Sequence, residues 1–347
     1  MNFNFYNPVQ IEFGIEYLEE ISKIKSQNIL LVTSDGFQKR GIVDKIKGIL
    51  NHKLKKVLHH IAPNPQIQFF NTLEGATDSI DCIIALGGGS VIDCAKALSI
   101  ARSLQIQNNL LIPKPNKSPI DVFAFPTTAG TSSELTPWAT IWDKKDQKKY
   151  SLHHENLYCK KAFYDSHLML TLPRDITIAT SLDALSHCIE SIWNKNANPI
   201  STNNALKGIQ LILENLPKLL DNPDSLYLRE QISLASIFAG LAFCATQTAL
   251  AHAISYPITM QKNIPHGIAC SFSIPFLLDN LPEGNPKNIL SPYQKDIKNL
   301  FEQLHVKTDF KDYGITPKDI EDIFHSLNSR AKNSIFDLEA IQNKLIK

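Results

Sequence analysis

Two pairs of residues carry the side-chain types and the spacing of a divalent-metal site. Asp183 and His187 lie in "TSLDALSHCIESIW" (180–193), where an i, i+4 spacing in a helical pattern places both side chains on one face. His252 and His266 lie in "ALAHAISYPITMQKNIPHG" (249–267). Taken alone, each pair also fits an ordinary helix-surface pair or a core histidine. Together, one carboxylate and three imidazoles in a helical half of the chain favour Fe(II) or Zn(II) with room for a substrate oxygen.

Two loops of small residues carry a second kind of chemistry. "LGGGSVIDCAK" (86–96) joins a predicted buried strand to a predicted helix. Glycines there let backbone N–H groups approach a pyrophosphate, and the helix N-terminus favours its negative charge. The stretch matches neither G-x-G-x-x-G nor a Walker P-loop, so a plain strand–helix turn remains an alternative. "FPTTAGTSSE" (125–134) adds hydroxyl groups after the next strand, and the two loops together favour a nucleotide cofactor.

The elements that position these residues follow from the hydrophobic pattern. Apolar runs predict strands at residues 28–34, 54–62 and 81–90 and at the start of 121–134, and amphipathic stretches predict helices at 36–50 and 91–104. This alternation predicts a parallel, doubly wound sheet. From Ile176 onward the periodicity is helical. Breaks are predicted at Pro199, Pro217, Pro223, Pro257 and Pro265. The predicted domains are 1–173 and 174–347.

Composition indicates an ordinary globular protein. The 347 residues are 43% hydrophobic and 20% charged with a net charge of +1, which gives no electrostatic reason to expect nucleic acid or an anionic membrane as partner. Six cysteines form no C-x-x-C pair, and the first residues lack the pattern of a signal peptide, so we expect a cytoplasmic protein. Gln231–Gln261 contains no charged residue, but its serines, threonines, histidine and proline predict a buried helix pair rather than a membrane span.

Four stretches together resemble the iron-containing (group III) alcohol dehydrogenase family. They are "GGGSVID" (87–93), "FPTTAGTSSE" (125–134), "SLDALSHCIE" (181–190) and "AHAISYPITMQKNIPHG" (251–267). The resemblance implies a dehydroquinate synthase-like architecture, in which an N-terminal dinucleotide-binding α/β domain precedes an all-α metal-binding domain, with cofactor and metal meeting between them. It also implies a small aldehyde or alcohol substrate and a homodimer. In the implied reaction, the metal polarises the aldehyde oxygen and NADP(H) or NAD(H) transfers hydride.

The resemblance also assigns residues by position. It implies Fe(II), or Zn(II), bound by Asp183, His187, His252 and His266. The implied cofactor-binding residues are Asn64, Gly88, Gly89, Ser90, Asp93, Thr127, Thr128, Thr131, Thr136 and Lys149.

Two departures from the family pattern bear on cofactor and proton transfer. Many members have an Asp at the end of the strand predicted here at 28–34, where it contacts the adenosine ribose. In this chain the aligned residue is Ser34, and Asp35 lies one position later. The missing carboxylate favours NADP(H), and Lys39 and Arg40 are additional cations nearby in sequence. Many members also place a proton-relay histidine four residues after the third ligand. Here that residue is Tyr256, a phenol that we predict to be the catalytic proton donor, with packing or substrate binding as the alternative.

Further stretches resemble the phosphonoacetaldehyde reductase branch of the family. They are "TPWATIWD" (136–143), "KKYSLHHENLY" (148–158), "SIWNKNANP" (191–199) and "TALAHAISYPIT" (248–259). Those enzymes form 2-hydroxyethylphosphonate, and candidate partners for the phosphonate are Lys149, His153, His154, Lys195 and Asn198. The alternatives are a reductase of another small aldehyde or diol (of the lactaldehyde, butanal or 1,3-propanediol type), a sugar-phosphate cyclase of the dehydroquinate synthase type, and a metal-stabilised nucleotide-binding protein without turnover.

Overall fold

The computed structural model describes residues 2–108, 110–146 and 148–346, which divide into two compact units. The sheet unit comprises Asn7–Thr128 and Ser132–Thr171. The helical unit comprises Met1–Tyr6, Ala129–Thr131 and Leu172–Lys347. The predicted fold class, an α/β part followed by an all-helical part, is therefore confirmed. The domain boundary at residue 173 stays a prediction.

The sheet unit contains parallel strands, two hairpins and short helices. Its strands are β1 (Gln10–Phe13), β2 (Ile29–Val32), β3 (Leu54–Leu58), β4 (Cys82–Gly87), β5 (Ala101–Gln107), β6 (Leu110–Pro115), β7 (Asp121–Pro126), β8 (Trp138–Asp143), β9 (Lys148–His153) and β10 (Lys161–Tyr164). Its helices are α1 (Tyr17–Ser22), α2 (Asp35–Lys39), α3 (Ile42–Leu50), α4 (Ile67–Asn71) and α5 (Gly89–Ile100).

The main sheet has the order β1-β10-β7-β4-β2-β3, and all of its neighbouring strands pair in parallel. The chain runs from β2 outward to β3 and then returns to place β4 on the other side of β2. The strand order therefore reverses between β2 and β4, and in open parallel sheets the carboxyl ends at such a reversal mark the ligand-binding crevice. Apolar side chains of β2 and β4, such as Leu31 and Ile84, are fully buried with Ile46 of α3.

The strand predictions are confirmed as β2, β3, β4 and β7 with somewhat shorter bounds, but both helix predictions need correction. The single helix predicted at 36–50 is two helices, α2 and α3, separated by Gly41. Gly41 has φ of 73°, a left-handed backbone conformation that ends a helix and that glycine adopts without strain.

The helix predicted at 91–104 begins earlier and ends sooner than its pattern indicates. Helix α5 covers Gly89–Ile100, and the chain continues directly into β5, which pairs with β6 in an antiparallel hairpin. Leu98, Ala101 and Leu104 repeat at a spacing that also fits a helix, and all three are buried. The long-range backbone pairing with residues 110–115 therefore overrides a local pattern that was ambiguous.

The helical unit is built around long helices that pack against one another. Its helices are α6 (Arg174–Ile192), α7 (Pro199–Asp221), α8 (Leu226–Thr246), α9 (Leu250–Lys262), α10 (His266–Ala269), α11 (Ile274–Asp279), α12 (Asn285–Gln303), α13 (Pro317–His325) and α14 (Leu338–Ile346). Helices α6, α7 and α8 pack against one another. This packing buries most of α6, including the segment that contains Asp183 and His187.

Three of the five predicted proline breaks are confirmed and two are wrong. Pro199 opens α7, Pro223 lies between α7 and α8, and Pro265 precedes α10. Pro217 and Pro257 instead lie inside α7 and α9. A proline removes one helical hydrogen bond, and burial of the surrounding apolar residues keeps both helices continuous.

The uncharged segment 231–261 forms the predicted helix pair, α8 and α9. Helix α8 is long and apolar enough to cross a membrane, with a mean hydropathy of 1.2 over its most apolar window, but 61% of that window is buried inside the protein. A core helix of a globular protein has the same properties, so α8 is explained by the packing of the helical unit.

Candidate functional site

The helical unit brings together the four predicted metal ligands. Asp183 and His187 lie one turn apart on α6, with Asp183 Oδ1 3.8 Å from His187 Nε2. His252, near the start of α9, places its Nε2 3.2 Å from the same carboxylate oxygen. The rings of His187 and His252 stack with centroids 4.5 Å apart. His266 begins α10, and its ring centroid lies 5.6 Å from that of His252.

Close packing between helices fixes the position of His266. The next residue, Gly267, lies against α6 so closely that a Cβ there would be 1.9 Å from the carbonyl oxygen of Ala179. Only glycine allows this approach, because any side chain would push α10 away from α6. Glycine at 267 therefore keeps α10 close to α6 and His266 in its position beside the other imidazoles.

Glu190 is a functional residue that the sequence analysis missed. Its side chain is fully buried, and its carboxylate accepts hydrogen bonds from the backbone N–H groups of Ala249, Ala251 and His252. The same carboxylate lies 2.7 Å from Nδ1 of His252, which leaves Nε2 of that ring facing Asp183. A carboxylate behind a metal-binding histidine orients the ring and raises its basicity. The available signal was an acidic residue in a buried stretch, seven positions after Asp183 on the same helix.

Cys270 is the second residue that sequence analysis missed. It follows α10, is fully buried, and its Sγ lies 3.3 Å from Asp183 Oδ1. The potential ligand atoms of Asp183, His252, His266 and Cys270 all lie within 4.8 Å of one another. Cys270 therefore belongs to the same cluster of metal-ligating groups.

Two members of the cluster, Asp183 and His187, have the charge state that binding a cation requires. Burial would raise the pKa of Asp183, but the neighbouring imidazoles, His187 foremost, outweigh it and hold the pKa well below its usual range. Burial lowers the pKa of His187 to about 4, against the opposing effect of Asp183. Burial also acts to lower the pKa of His252, but Cys270 and Glu190 outweigh it and raise that pKa well above its usual value. An ionised Asp183 and a neutral His187 are the forms that bind a metal ion.

Tyr256 lies one turn after His252 on α9 and is half-buried. Its ring is nearly parallel to that of His266, with centroids 6.1 Å apart. Its hydroxyl lies 3.5 Å from the hydroxyl of Thr248. This placement puts a phenol beside the metal-ligating cluster and in contact with a second hydroxyl group.

In the sheet unit, the predicted phosphate loop lies at the carboxyl end of β4. Gly88 precedes α5, and Gly89 and Ser90 form its first turn. A Cβ on Gly88 would lie 3.1 Å from Thr128 Oγ1, so the glycine and threonine loops touch. The backbone N–H of Asn64 donates to Ser90 Oγ at 3.2 Å. Thr127 joins the same group, since its N–H donates to the Gly87 carbonyl. The N-terminus of α5 thus presents backbone N–H groups in a small-residue loop, as pyrophosphate binding requires.

Other predicted cofactor residues have contacts that organise the neighbouring loop. The carboxylate of Asp93 accepts from the hydroxyl of Ser133 and the N–H of Thr140. The hydroxyl of Thr136 lies 3.1 Å from Nζ of Lys96, a fully buried ammonium that the sequence analysis did not single out. These contacts hold the loop between β7 and β8 against α5.

The two remaining predicted cofactor residues lie elsewhere. Lys149 is on β9, where its ammonium lies 5.9 Å from the centroid of the Trp142 ring. Thr131 falls within the helical unit. A shared site with the glycine loop stays a prediction for both residues.

The carboxyl end of β2 carries the residues predicted to set cofactor preference. Ser34 precedes α2, and the carboxylate oxygen Oδ1 of Asp35 lies 2.8 Å from Nδ1 of both His59 and His60. The hydrogen bonds from His59 and His60 lower the pKa of Asp35. The guanidinium of Arg40, the residue that follows α2, lies 4.4 Å from the centroid of the Phe37 ring.

Comparison with known proteins connects both halves of the chain to one family. Residues 8–166 match the family model described as iron-containing alcohol dehydrogenase, and residues 177–335 match that of the Fe-containing alcohol dehydrogenase family, C-terminal. An NADPH-dependent butanol dehydrogenase of Clostridium saccharobutylicum is 29% identical over 362 residues, which cover 94% of this chain and 91% of the relative. A sulfoacetaldehyde reductase of Bilophila wadsworthia is 30% identical over 290 residues, covering 80% and 74%.

A solved structure extends the similarity to the whole fold. The crystal structure of sulfoacetaldehyde reductase from Bifidobacterium kashiwanohense in complex with NAD+ superposes with a TM-score of 0.89 at 25% sequence identity. The match covers 100% of this chain and 99% of that protein.

Proposed function

The chain belongs to the iron-containing alcohol dehydrogenase family of NAD(P)-dependent oxidoreductases, and from that premise we propose that it reduces phosphonoacetaldehyde to 2-hydroxyethylphosphonate. One observation carries the proposal: the cluster of Asp183, His187, His252 and His266 in the helical unit. The resemblance to the phosphonoacetaldehyde reductase branch supports the choice of substrate.

The four clustered residues fit a divalent metal ion, and we assign them as its ligands. The set offers one carboxylate and three imidazoles, and its carboxylate is held in the ionised form. When bound there, Fe(II) or Zn(II) supplies Lewis-acid chemistry that polarises the aldehyde carbonyl. Glu190 holds the ring of His252 in the orientation that directs Nε2 toward Asp183. The burial of these side chains excludes water from their surroundings, which strengthens their electrostatic effect on the reacting carbonyl.

Tyr256 is the proposed proton donor to the alcohol oxygen. Its ring lies beside that of His266, and its hydroxyl contacts the hydroxyl of Thr248 at 3.5 Å. After it has donated its proton, the phenol must be reprotonated. The hydroxyl of Thr248 contacts that of Tyr256 and is the proposed proton donor for this step. Tyr256 would then hold the proton at its Oη until the carbonyl carbon receives hydride.

The nicotinamide cofactor supplies the hydride, and the sheet unit supplies most of its proposed binding groups. We propose that Gly88, Gly89 and Ser90 bind the pyrophosphate at the N-terminus of α5, beside Asn64 and Thr128. The remaining proposed cofactor-binding residues are Asp93, Thr127, Thr131, Thr136 and Lys149. This loop follows β4, at the reversal of strand order where parallel sheets bind ligands.

NADP(H) is the proposed form of the cofactor. The carboxylate of Asp35 is already hydrogen-bonded to two imidazoles, His59 and His60, which leaves it less available to bind the ribose hydroxyls of NAD(H). Steady-state kinetics with NADPH and NADH test this assignment. We expect a higher kcat/KM with NADPH, and a preference that increases in Asp35→Asn. A wild-type preference for NADH would contradict it.

The phosphonate requires cationic or hydrogen-bond-donating partners, and two of the predicted candidates also cap helices. The side-chain oxygen of Asn198 accepts from the N–H groups of Ile200 and Ser201 at the start of α7. The ring of His154 accepts from the N–H of Asn156 in the short turn Glu155–Leu157. Capping uses only these acceptor atoms, so Asn198 and His154 stay proposed partners with Lys149, His153 and Lys195.

A chain of hydrogen bonds in the helical unit connects the backbone of Lys195 to the surroundings of Tyr256. Its backbone N–H donates to the carbonyl of Asn333 at 2.7 Å, and the Asn333 side chain donates to the carbonyl of Thr248 at 3.0 Å. Thr248 in turn contacts the hydroxyl of Tyr256. Lys195 is exposed, its ammonium donates to the carbonyl of Lys332 at 2.9 Å, and we propose it as the cationic partner of the substrate's acidic group.

A panel of aldehydes tests the substrate directly. Iron-loaded protein should oxidise NADPH with a kcat/KM at least about tenfold higher for phosphonoacetaldehyde than for propanal, since a charge-assisted contact contributes about 1.5–3 kcal/mol. Lys195→Gln should reduce that ratio, whereas Lys45→Gln, an exposed lysine of the sheet unit, should leave it unchanged. No preference for phosphonoacetaldehyde over propanal would overturn the substrate assignment.

Sulfoacetaldehyde is the second candidate substrate. Two of the similar proteins are named sulfoacetaldehyde reductases, and a sulfonate is, like a phosphonate, a tetrahedral oxyanion. Including sulfoacetaldehyde, butanal and lactaldehyde in the panel separates these possibilities. A cyclase of the dehydroquinate synthase type would show no net oxidation of the cofactor. A nucleotide-binding protein without turnover would show no reduction of any aldehyde.

We further propose that the protein acts in the cytoplasm as a homodimer. All six cysteines are buried thiols, which fits a reducing compartment. Light scattering of the purified protein would determine the oligomeric state, and a monomer at micromolar concentration would contradict the proposed dimer.

A further inference from the structure

A buried thiol lies within the proposed metal site without a role in the four-ligand assignment. Cys270 is fully buried, and its Sγ lies 3.3 Å from Asp183 Oδ1. Its sulfur and the ligand atoms of Asp183, His252 and His266 lie within 4.8 Å of one another, a separation that a single metal ion can bridge. Among the described residues, Cys270 is the one cysteine found in such a group.

Two other cysteines of the helical unit show that this placement is specific. Cys188 directly follows a proposed ligand, His187, but its Sγ points to α7, where it would lie 2.5 Å from a Cβ on Gly208. Cys244 follows Phe243, whose ring stacks on His187 at 3.9 Å, but its thiol donates to the carbonyl of Leu241. Both thiols are close to the site in sequence, yet Cys188 packs against α7 and Cys244 donates within its own helix.

We propose that Cys270 is a further ligand of the metal ion, coordinating through its thiolate sulfur together with Asp183, His252 and His266. This inference rests on the metal site proposed above. On binding, the S–H bond of Cys270 breaks, the proton passes to a base in the solvent, and a sulfur–metal bond forms without a change in oxidation state. The charge of the ion stabilises the thiolate in a buried position.

A thiolate changes which metal the site prefers. Thiolate sulfur favours zinc and similar soft or borderline ions, whereas Mn(II) favours oxygen ligands. Removing the sulfur should therefore weaken Zn(II) binding more than Mn(II) binding. If the Cys270 thiol only donated a hydrogen bond to Asp183, its loss would weaken both ions to a similar degree, because the carboxylate serves either ion.

Cobalt substitution makes the sulfur–metal bond visible. Co(II) bound by thiolate has a sulfur-to-metal charge-transfer absorption in the near ultraviolet, in addition to the visible bands that any ligand set gives. We expect this absorption in Co(II)-loaded wild type and in Cys244→Ser, and its loss in Cys270→Ser with the visible bands retained. Circular dichroism confirms that each variant is folded, and Cys270→Ala provides a second variant if the serine is not tolerated.

The metal-competition experiment supplies an independent readout. With a chromophoric chelator as competitor, Cys270→Ser should weaken Zn(II) binding by about tenfold or more and Mn(II) binding much less. A near-ultraviolet absorption that persists in Cys270→Ser, or that is absent from cobalt-loaded wild type, would overturn the inference while the four-ligand site stands. Failure of folded wild type to bind Co(II) at all would instead overturn the metal site itself. Neither result depends on which aldehyde is the substrate.

Discussion

The proposed metal ligands are the residues that the sequence predicts most directly. Asp183 and His187 are one helical turn apart in sequence, and the resemblance to a known family adds His252 and His266. Glu190 and Cys270 were missed because their partners are distant in the chain. Glu190 contacts the start of α9, and Cys270 contacts Asp183 across 87 residues. Such contacts depend on how helices pack, which a single sequence does not reveal.

Replacing Glu190 with glutamine should weaken metal binding without removing any proposed ligand. The change keeps the shape of the side chain but removes the negative charge that holds His252 through its Nδ1. We expect the dissociation constant for Zn(II) to rise by about 10–100-fold, measured by chelator competition. Glu283→Gln, at an exposed glutamate of the same unit, is the control and should bind as wild type does. Equal affinity of Glu190→Gln and wild type would show that Glu190 has only a structural role.

Replacing Tyr256 with phenylalanine should slow the reaction while leaving metal and cofactor binding intact. The substitution removes the hydroxyl that contacts Thr248 and keeps the ring beside His266. If Tyr256 donates the proton, kcat should fall by about 10²-fold with little change in KM. A raised KM at constant kcat would assign Tyr256 to substrate binding instead.

At the scale of elements, strong apolar runs were predictable and long-range pairings were not. Strands β2, β3, β4 and β7 lie where the sequence predicts them. The β5–β6 hairpin was missed because its second strand, "LLIPKP", contains two prolines and its first strand has a spacing that also fits a helix. The break in the helix predicted at 36–50 depends on the backbone of one glycine, Gly41, whose side chain gives no periodicity signal.

The packing of α10 against α6 leads to a prediction at Gly267. Alanine there would place a Cβ 1.9 Å from the carbonyl oxygen of Ala179, so α10 must move and carry His266 with it. We expect Gly267→Ala to lower the free energy of unfolding of the metal-free protein by about 1–3 kcal/mol, measured in urea, and to weaken metal binding.

Gly48 provides the matched control for this change. It lies in α3 with nothing within 4 Å of the position of a Cβ, so Gly48→Ala should stabilise the protein slightly or leave it unchanged. Wild-type stability and metal affinity in Gly267→Ala would contradict the proposed close approach.

At the scale of the molecule, the alternation of strands and helices followed by helices alone was enough to predict the fold class. The order of strands was not predictable from the pattern, because it depends on which edges pair. The reversal between β2 and β4 gives the glycine loop and Asp35 a common place at the carboxyl ends of neighbouring strands. The two departures from the family pattern, at Ser34 and Tyr256, thus fall in different units of the molecule.

We propose that the protein reduces phosphonoacetaldehyde with hydride from NADPH and that this reaction depends on the metal-ligating cluster. The most direct measurement uses phosphorus NMR to quantify the 2-hydroxyethylphosphonate formed for each NADPH oxidised. It compares iron-loaded wild type with Asp183→Ala. We predict one product molecule per cofactor oxidised by wild type. Asp183→Ala should lose at least about 10³-fold in kcat/KM while it remains folded and binds NADPH. Unchanged turnover in Asp183→Ala, or wild type that reduces propanal but not phosphonoacetaldehyde, would contradict the account.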